Sequence, residues 1–160
     1  MSIKVGDRLP EAKFRVMSED GPAWKTTGDI FKGKKVALFA VPGAFTGTCH
    51  KMHVPSILQN AEAIKAKGVN TIAVTSVNDV FVMDAWKKAT AAEKLEFLAD
   101  GNGDFAKAID LAFDASANGL GVRSRRYAML VEDGVVKKLN IEEAPGKVEV
   151  SGGDALLKQL

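Results

Sequence analysis

Short apolar runs that alternate with helix-periodic stretches dominate the pattern of this chain. The most apolar run, Val36 to Val41, and a second one, Thr71 to Thr75, have the length and continuity of strands buried on both faces of a sheet. Leu95 to Ala99 predicts a third such strand. A shorter strand is expected at Ala12 to Val16, before a turn at Gly21-Pro22.

Helical spacing fills the intervals between these strands. From Thr48 to Lys67 apolar residues recur three and four positions apart, and Gly68 is placed to end the helix. Pro55 should kink or restart this helix, because proline lacks a backbone N–H and clashes with the preceding turn. Asn78 or Asp79 is expected to cap a second helix.

The remaining pattern decides the fold class. It predicts a helix at Phe105 to Leu111, hairpin strands at Tyr127 to Val131 and Val135 to Leu139, and a helix from about Asp154 to Leu160. Strand–helix alternation followed by a hairpin and a helix predicts an α/β fold with a mixed central sheet flanked by helices, the thioredoxin-like arrangement. We find no repeat or dividing linker and expect a single domain over 1–160.

Charge and composition narrow the function classes. A net charge of +2, from 22 basic and 20 acidic residues, favours neither nucleic acid nor an anionic membrane as a partner. The sequence has no run of 18 apolar residues and no signal-peptide pattern at its start. One cysteine cannot form an intramolecular disulfide, so we expect a cytoplasmic protein, or an organellar one if a transit peptide has been removed.

That cysteine, Cys49, lies between a core strand and the start of a helix. Unpaired N–H groups and the helix dipole favour a thiolate at such a position, and the thiolate is the nucleophilic form. Pro42 and Thr46 complete the spacing Pro-x-x-x-Thr-x-x-Cys, which suits a shielded nucleophile beside a polar side chain. A buried structural thiol is the alternative, because free cysteine is among the most buried residue types.

Two histidines near the thiol suggest a metal site. Cys49 and His53 share a helix face, and His50 adjoins them, but this local set is too small for a closed zinc site. A structural hydrogen bond from His53 is the favoured alternative. We expect no metal and no other cofactor.

Three segments carry a resemblance to a known family. Val41 to Pro55 closely resembles the active-site segment of peroxiredoxins, while Val77 to Trp86 and Gly121 to Tyr127 resemble the "five", or type II, subfamily. The similarity covers essentially the whole chain, in the family's order. It implies a thiol-dependent peroxidase that reduces hydrogen peroxide and alkyl hydroperoxides without metal, haem or flavin.

The resemblance implies a role for each of four residues. Cys49 would attack the peroxide and become a sulfenic acid, and Thr46 would hydrogen-bond the peroxide. Pro42 would shield the thiolate. Arg126 would stabilise both the thiolate and the charge that develops on the leaving oxygen.

The residues alone do not select Arg126 over its neighbours Arg123 and Arg125. One departure from the family is Gly47, where many relatives carry proline, and it should loosen the loop without loss of activity. The other departure lies in the segment from Lys147 to Gly153, which contains no resolving cysteine.

The counterpart of a resolving cysteine would be Val150 or Ser151. The sulfenic acid would therefore need an external thiol, namely glutathione, a glutaredoxin or thioredoxin. The family also suggests a homodimer, whose interface would draw on apolar residues that are otherwise core candidates: Phe45, Phe81, Met83 and Trp86.

Two other functions compete with the peroxidase. One is a redox sensor or binding partner in which Cys49 is oxidised without turnover. The other is a cysteine hydrolase or transferase with His53 as its base.

Overall fold

The computed structural model describes residues 2–160. In chain order its elements are β1 (Lys13–Ser18), β2 (Gly21–Thr26), α1 (Thr27–Phe31), β3 (Lys35–Ala40), a π-helical turn (Cys49–His53), α2 (Val54–Ala66), β4 (Thr71–Ser76), α3 (Val80–Ala89), β5 (Glu96–Ala99), α4 (Asp104–Ala108), β6 (Ala112–Asp114), a 3₁₀ turn (Ser116–Asn118), β7 (Val122–Ser124), β8 (Tyr127–Glu132), β9 (Val135–Ile141) and α5 (Gly153–Leu157).

A seven-stranded mixed sheet organises these elements, in the order β2-β1-β5-β4-β3-β8-β9. Strands β3, β4 and β5 are parallel, whereas β8 pairs antiparallel with β3, and β1 pairs antiparallel with β5. The predicted α/β fold with a mixed sheet is confirmed. β6 and β7 form a separate two-stranded sheet that the sequence did not predict.

Alternating residues of β3 feed two cores, one on each face of the sheet. Ala37 and Phe39 belong to a cluster with α2, α3 and α5, while Val36 and Leu38 belong to a cluster with α1 and α4. This two-sided burial is the reason that the run is continuously apolar. Cys49 lies in the first cluster, on the side of the sheet that carries α2, α3 and α5.

The prediction of a turn at Gly21-Pro22 is wrong, because both residues are in strand β2. The chain reverses one step earlier, at residues 19–20, and Gly21 opens β2 with a φ of +105°. Pro22 pairs with Met17 across the hairpin. Proline is tolerated here because β2 is an edge strand, whose outer side does not need an N–H donor.

The predicted break at Pro55 takes the form of the π-helical turn just before it. There the N–H of Val54 donates to the carbonyl of Cys49, five residues back. In a continuous α-helix the ring of Pro55 would meet the carbonyl of Lys51, and widening the turn removes that conflict. No helix within residues 2–160 combines the length and apolar character needed to cross a membrane.

Candidate active site

The loop between β3 and the π-helical turn, residues 41–48, lies at the carboxyl end of a central parallel strand. Asn78 anchors this loop, since its Oδ1 accepts hydrogen bonds from the backbone N of Ala44 at 2.9 Å and from Ser76 Oγ at 2.6 Å. Of the two residues predicted to cap α3, Asp79 is the cap. Asn78 instead ties the active-site loop to the end of β4.

Thr46 and Pro42 are both held by contacts within and across this loop. The hydroxyl of Thr46 donates to the carbonyl of Gly43 at 2.6 Å. A Cβ on Gly43 would lie 2.9 Å from Thr46 Cγ2 and 3.0 Å from a terminal nitrogen of Arg123, so only glycine fits without displacement. Pro42 is buried, and its carbonyl accepts from Arg123 Nη1 at 3.4 Å.

Cys49 occupies the first position of the π-helical turn, and its sulfur is almost completely shielded from solvent. The residue is 1% exposed. Arg126 Nη2 donates to its Sγ at 3.0 Å, although the two residues are 77 positions apart in the chain. The contact places a permanent positive charge beside the sulfur of the only cysteine in the sequence.

Arg126 is 2% exposed, and each of its nitrogens has a defined partner. Besides Nη2 on the sulfur, Nε donates to the carbonyl of Pro145 at 3.0 Å and Nη1 donates to Nδ1 of His53 at 2.8 Å. Among residues 2–160, no carboxylate lies within ion-pair distance of this guanidinium. The positive charge of Arg126 therefore acts on the Cys49 sulfur, and on a ligand bound next to it, without being offset by an ion pair.

The neighbouring arginines occupy different environments. Arg125 is exposed, and Arg123 is half-buried with its Nε on the carbonyl of Leu120 at 2.9 Å. The structure therefore brings Arg126, and neither neighbour, into contact with Cys49. The sequence contains no local signal for this choice, because it depends on how β8 aligns with β3.

His53 is completely buried and holds a single tautomer. A guanidinium only donates, so Nδ1 of His53 must accept from Arg126, and Nε2 must donate to the carbonyl of Ser151 at 2.7 Å. Burial, assisted by the charge of Arg126, lowers the pKa of His53 from 6.5 to about 4, against the opposing influence of the Ser151 carbonyl and the Glu142 carboxylate.

The imidazole of His53 is therefore neutral at neutral pH, and both of its nitrogens are engaged. Its lone pair on Nδ1 points to Arg126, so it is not free to take a proton from Cys49 or to bind a metal ion. The structural role predicted for His53 fits this geometry. The hydrolase hypothesis, which needs His53 as a base, finds no support in it.

Sequence reasoning missed the part of the site that lies between β9 and α5. The carbonyls of Pro145 and Ser151 come from this segment, and the carboxylate of Glu142, just after β9, accepts a hydrogen bond from the backbone N of Ser151. The resemblance drew attention to this segment only for the cysteine it lacks. Backbone carbonyls leave no mark in a sequence, so no residue pattern could have revealed these contacts.

Two aromatic side chains contact His50 of the π-helical turn. Trp86 is fully buried, and its Nε1 donates to Nδ1 of His50 at 3.0 Å. The ring of Phe45 stacks on His50, with centroids 5.8 Å apart and planes inclined by 22°. Of the apolar residues considered for the core or an interface, Trp86 and Met83 are core, while Phe45 and Phe81 are 48% and 65% exposed.

Known proteins resemble this chain over nearly its whole length. Residues 4–157 match the redoxin family. The chain is 46% identical to Peroxiredoxin-2C of Oryza sativa subsp. japonica, over 99% of this chain and 98% of that protein. It is 44% identical to the chloroplastic Peroxiredoxin-2E of Arabidopsis thaliana, over 99% and 70% of the respective lengths. A crystal structure of reduced Prx3 from Vibrio vulnificus in complex with H₂O₂ superimposes with a TM-score of 0.94 and 46% identity, covering 98% of both chains.

Proposed function

The chain belongs to the redoxin family and, within it, to the peroxiredoxins, and on this premise we propose that Cys49 is the residue that reacts with the hydroperoxide. The protein has the thioredoxin-like fold of that family and is a thiol-dependent peroxidase. One observation carries the assignment to Cys49. Its buried sulfur accepts a hydrogen bond at 3.0 Å from a guanidinium that no carboxylate among residues 2–160 neutralises.

The chemistry follows from that contact. The Cys49 thiolate attacks one oxygen of the O–O bond, an S–O bond forms, and the other oxygen leaves with the bonding electron pair and takes up a proton as water or an alcohol. The sulfur is oxidised to a sulfenic acid, and the peroxide is reduced. Arg126 stays charged throughout, so it stabilises both the thiolate and the negative charge that grows on the departing oxygen.

Thr46 and Pro42 are proposed to shape the space in which the peroxide binds. The Thr46 hydroxyl donates to Gly43, which leaves its oxygen free to accept from the O–H of a hydroperoxide. Pro42 offers no backbone N–H, and its buried ring would form an apolar wall against water. Excluding water strengthens the electrostatic effect of Arg126 on the reacting atoms.

We propose that an external thiol completes each cycle, because the chain has no second cysteine. That thiol condenses with the sulfenic acid, a mixed disulfide forms and water leaves. A second thiol then exchanges with the disulfide and releases Cys49 in its reduced form. Glutathione, a glutaredoxin and thioredoxin are the three reductants that we propose to compare.

Assembly and location are further parts of the proposal. Phe45 in the active-site loop and Phe81 in the first turn of α3 are exposed, and we propose that they contribute to a homodimer. A free thiol suits a reducing compartment, so we propose a cytoplasmic location. An organelle is the alternative, since one relative is chloroplastic. Sedimentation of the wild type and of Phe81→Ser tests the homodimer, and a monomeric wild type would contradict it.

Peroxide consumption with each reductant in parallel tests the assignment. We expect the wild type to consume hydrogen peroxide continuously with at least one reductant and Cys49→Ser to consume none while keeping its fold. Turnover by Cys49→Ser would refute the role of Cys49. Oxidation of Cys49 without turnover by any reductant would instead support the redox sensor.

A further inference from the structure

The buried carboxylate of Glu142 gathers an unusual number of hydrogen bonds next to the active site. Its Oε2 accepts from three consecutive backbone N–H groups, those of Glu149 at 2.8 Å, Val150 at 2.8 Å and Ser151 at 2.7 Å, and from the Ser151 hydroxyl at 2.6 Å. The residue is only 5% exposed. Its own backbone N donates to the carbonyl of Arg126 at 3.0 Å, so Glu142, just after β9, lies beside the arginine just before β8.

These hydrogen bonds close the segment 143–151, which we call the closing segment. Three of its carbonyls touch the site: Pro145 accepts from Arg126 Nε at 3.0 Å, Gly146 from Thr48 Oγ1 at 3.1 Å and Ser151 from His53 Nε2 at 2.7 Å. The segment thus contacts the guanidinium directly and also through the imidazole.

Charge explains why a carboxylate occupies this place. Burial raises the pKa of Glu142, but the hydrogen bonds from Ser151, Val150 and Glu149 outweigh that effect, and the pKa lies below its usual range. Glu142 is therefore ionised, and an ionised acceptor binds its donors more strongly than a neutral one does. A neutral side chain here would leave several buried donors weakly satisfied.

We propose that Glu142 is a positioning residue for the reaction at Cys49: its carboxylate fixes the closing segment, whose Pro145 and Ser151 carbonyls orient Arg126 and His53 so that the guanidinium meets the sulfur. This role rests on the proposed function of Cys49. The carboxylate of Glu142 hydrogen-bonds the closing segment and not the Cys49 sulfur, so it acts through Arg126.

The Glu142→Gln variant keeps the size of the side chain and one oxygen acceptor but loses the charge. We expect the second-order rate constant for oxidation of reduced Cys49 by hydrogen peroxide to fall about tenfold, the order of effect of one misaligned charge-assisted hydrogen bond. The measurement is a single-turnover stopped-flow experiment, so it does not depend on the reductant. The rate of alkylation by iodoacetamide, followed against pH, reports the thiolate fraction. At neutral pH this rate should be lower in Glu142→Gln than in the wild type.

Glu93→Gln is the matched control. It removes the same charge from an exposed glutamate outside the closing segment and should change neither rate. Ser151→Ala removes only the hydroxyl donor to Glu142 and should give a smaller change in the same direction. It keeps the proposal testable if Glu142→Gln does not fold.

A double-mutant cycle with Arg126→Lys separates positioning from general structural support. Lysine has no Nε to engage Pro145 and no second nitrogen for His53. If Glu142 acts through the guanidinium, the penalty of Glu142→Gln should largely disappear in the Arg126→Lys background. A folded Glu142→Gln that reacts like the wild type, or a penalty that is unchanged in Arg126→Lys, would overturn the proposal.

The same experiments distinguish a wrong role for Glu142 from a wrong assignment of the reaction to Cys49. If wild-type Cys49 is not oxidised by peroxide, the assignment of the reaction is wrong. The alkylation profiles still decide whether Glu142 supports the contact between Arg126 and the sulfur, since iodoacetamide needs only the thiolate.

Discussion

The buried neutral imidazole of His53 should make the stability of this protein depend on pH below neutrality. In the unfolded chain the imidazole titrates near its ordinary pKa of 6.5, whereas in the folded protein its pKa is about 4. Between these two values the unfolded chain binds a proton that the folded chain does not bind. A fall in pH through this window therefore favours unfolding, and stability is unaffected above it.

The magnitude follows from the width of the window. Each pH step of one within it removes about 1.4 kcal/mol from the free energy of unfolding, so His53 alone costs about 2 kcal/mol at pH 5 and about 3 kcal/mol near pH 4. Small proteins are stable by only about 5–15 kcal/mol, so the loss is a substantial fraction of the total. With a urea m-value of about 2 kcal/mol/M, the midpoint would fall by about 1 M at pH 5.

Urea unfolding of the wild type and His53→Gln at pH 7.5, 6 and 5, under reducing conditions, measures this effect. Both chains carry the same carboxylates, so the difference between their free energies of unfolding isolates His53. We expect that difference to shift by about 2 kcal/mol against the wild type between pH 7.5 and pH 5. Equal m-values would show that the two unfolding reactions expose the same surface.

Direct titration by NMR gives a second readout. The chain has only two histidines, so the ring signals are readily assigned with the variant. The His53 ring should remain neutral from pH 8 down to pH 5. A ring that titrates near pH 6.5, or a stability difference that does not change with pH, would refute the neutral tautomer deduced from the hydrogen bonds.

Three further predictions concern the guanidinium, the packing of α5 and the fate of the thiol. Arg126→Lys keeps the charge but cannot hydrogen-bond all three partners of the guanidinium, so the rate of Cys49 oxidation in stopped-flow should fall roughly a hundredfold. A rate within a factor of two of the wild type would contradict the role of the planar guanidinium. Gly153→Ala would place a Cβ 2.5 Å from the Ser56 carbonyl oxygen and 2.9 Å from Ile57 Cα. Thermal unfolding should therefore show that the free energy of unfolding falls by about 2–3 kcal/mol. An unchanged midpoint would contradict this and would mean that α5 shifts freely. Excess peroxide without reductant should convert Cys49 to its sulfinic acid, because the chain has no second thiol to trap the sulfenic acid; mass spectrometry that finds only the unmodified thiol would contradict this.

Most of the fold could be predicted because local patterns carry the information. The continuous apolar run of β3 predicts its burial on both faces, and Pro55 predicts the place where the helix must widen. The prediction failed at Gly21-Pro22, where two strong turn formers lie in a strand. An edge strand tolerates proline, and only the strand order shows that β2 is at an edge.

The active site likewise combines residues that the sequence predicts with residues that only the tertiary structure identifies. The sequence by itself determined a single thiol at a strand-to-helix junction, with Pro42 and Thr46 at fixed spacing, because these residues are close along the chain. Only the tertiary structure decided that Arg126 is the arginine that reaches Cys49. That choice depends on the pairing of β8 with β3, which brings together residues far apart in sequence.

Tertiary structure also decided the tautomer of His53 and revealed the carbonyls of Pro145 and Ser151, together with the carboxylate of Glu142 that fixes them. The physical reason is that hydrogen bonds to backbone carbonyls depend on where the chain passes and not on which residue supplies them. The sequence therefore determines which reactive group is available at Cys49. The fold determines which arginine contacts the sulfur and which groups hold that arginine in place.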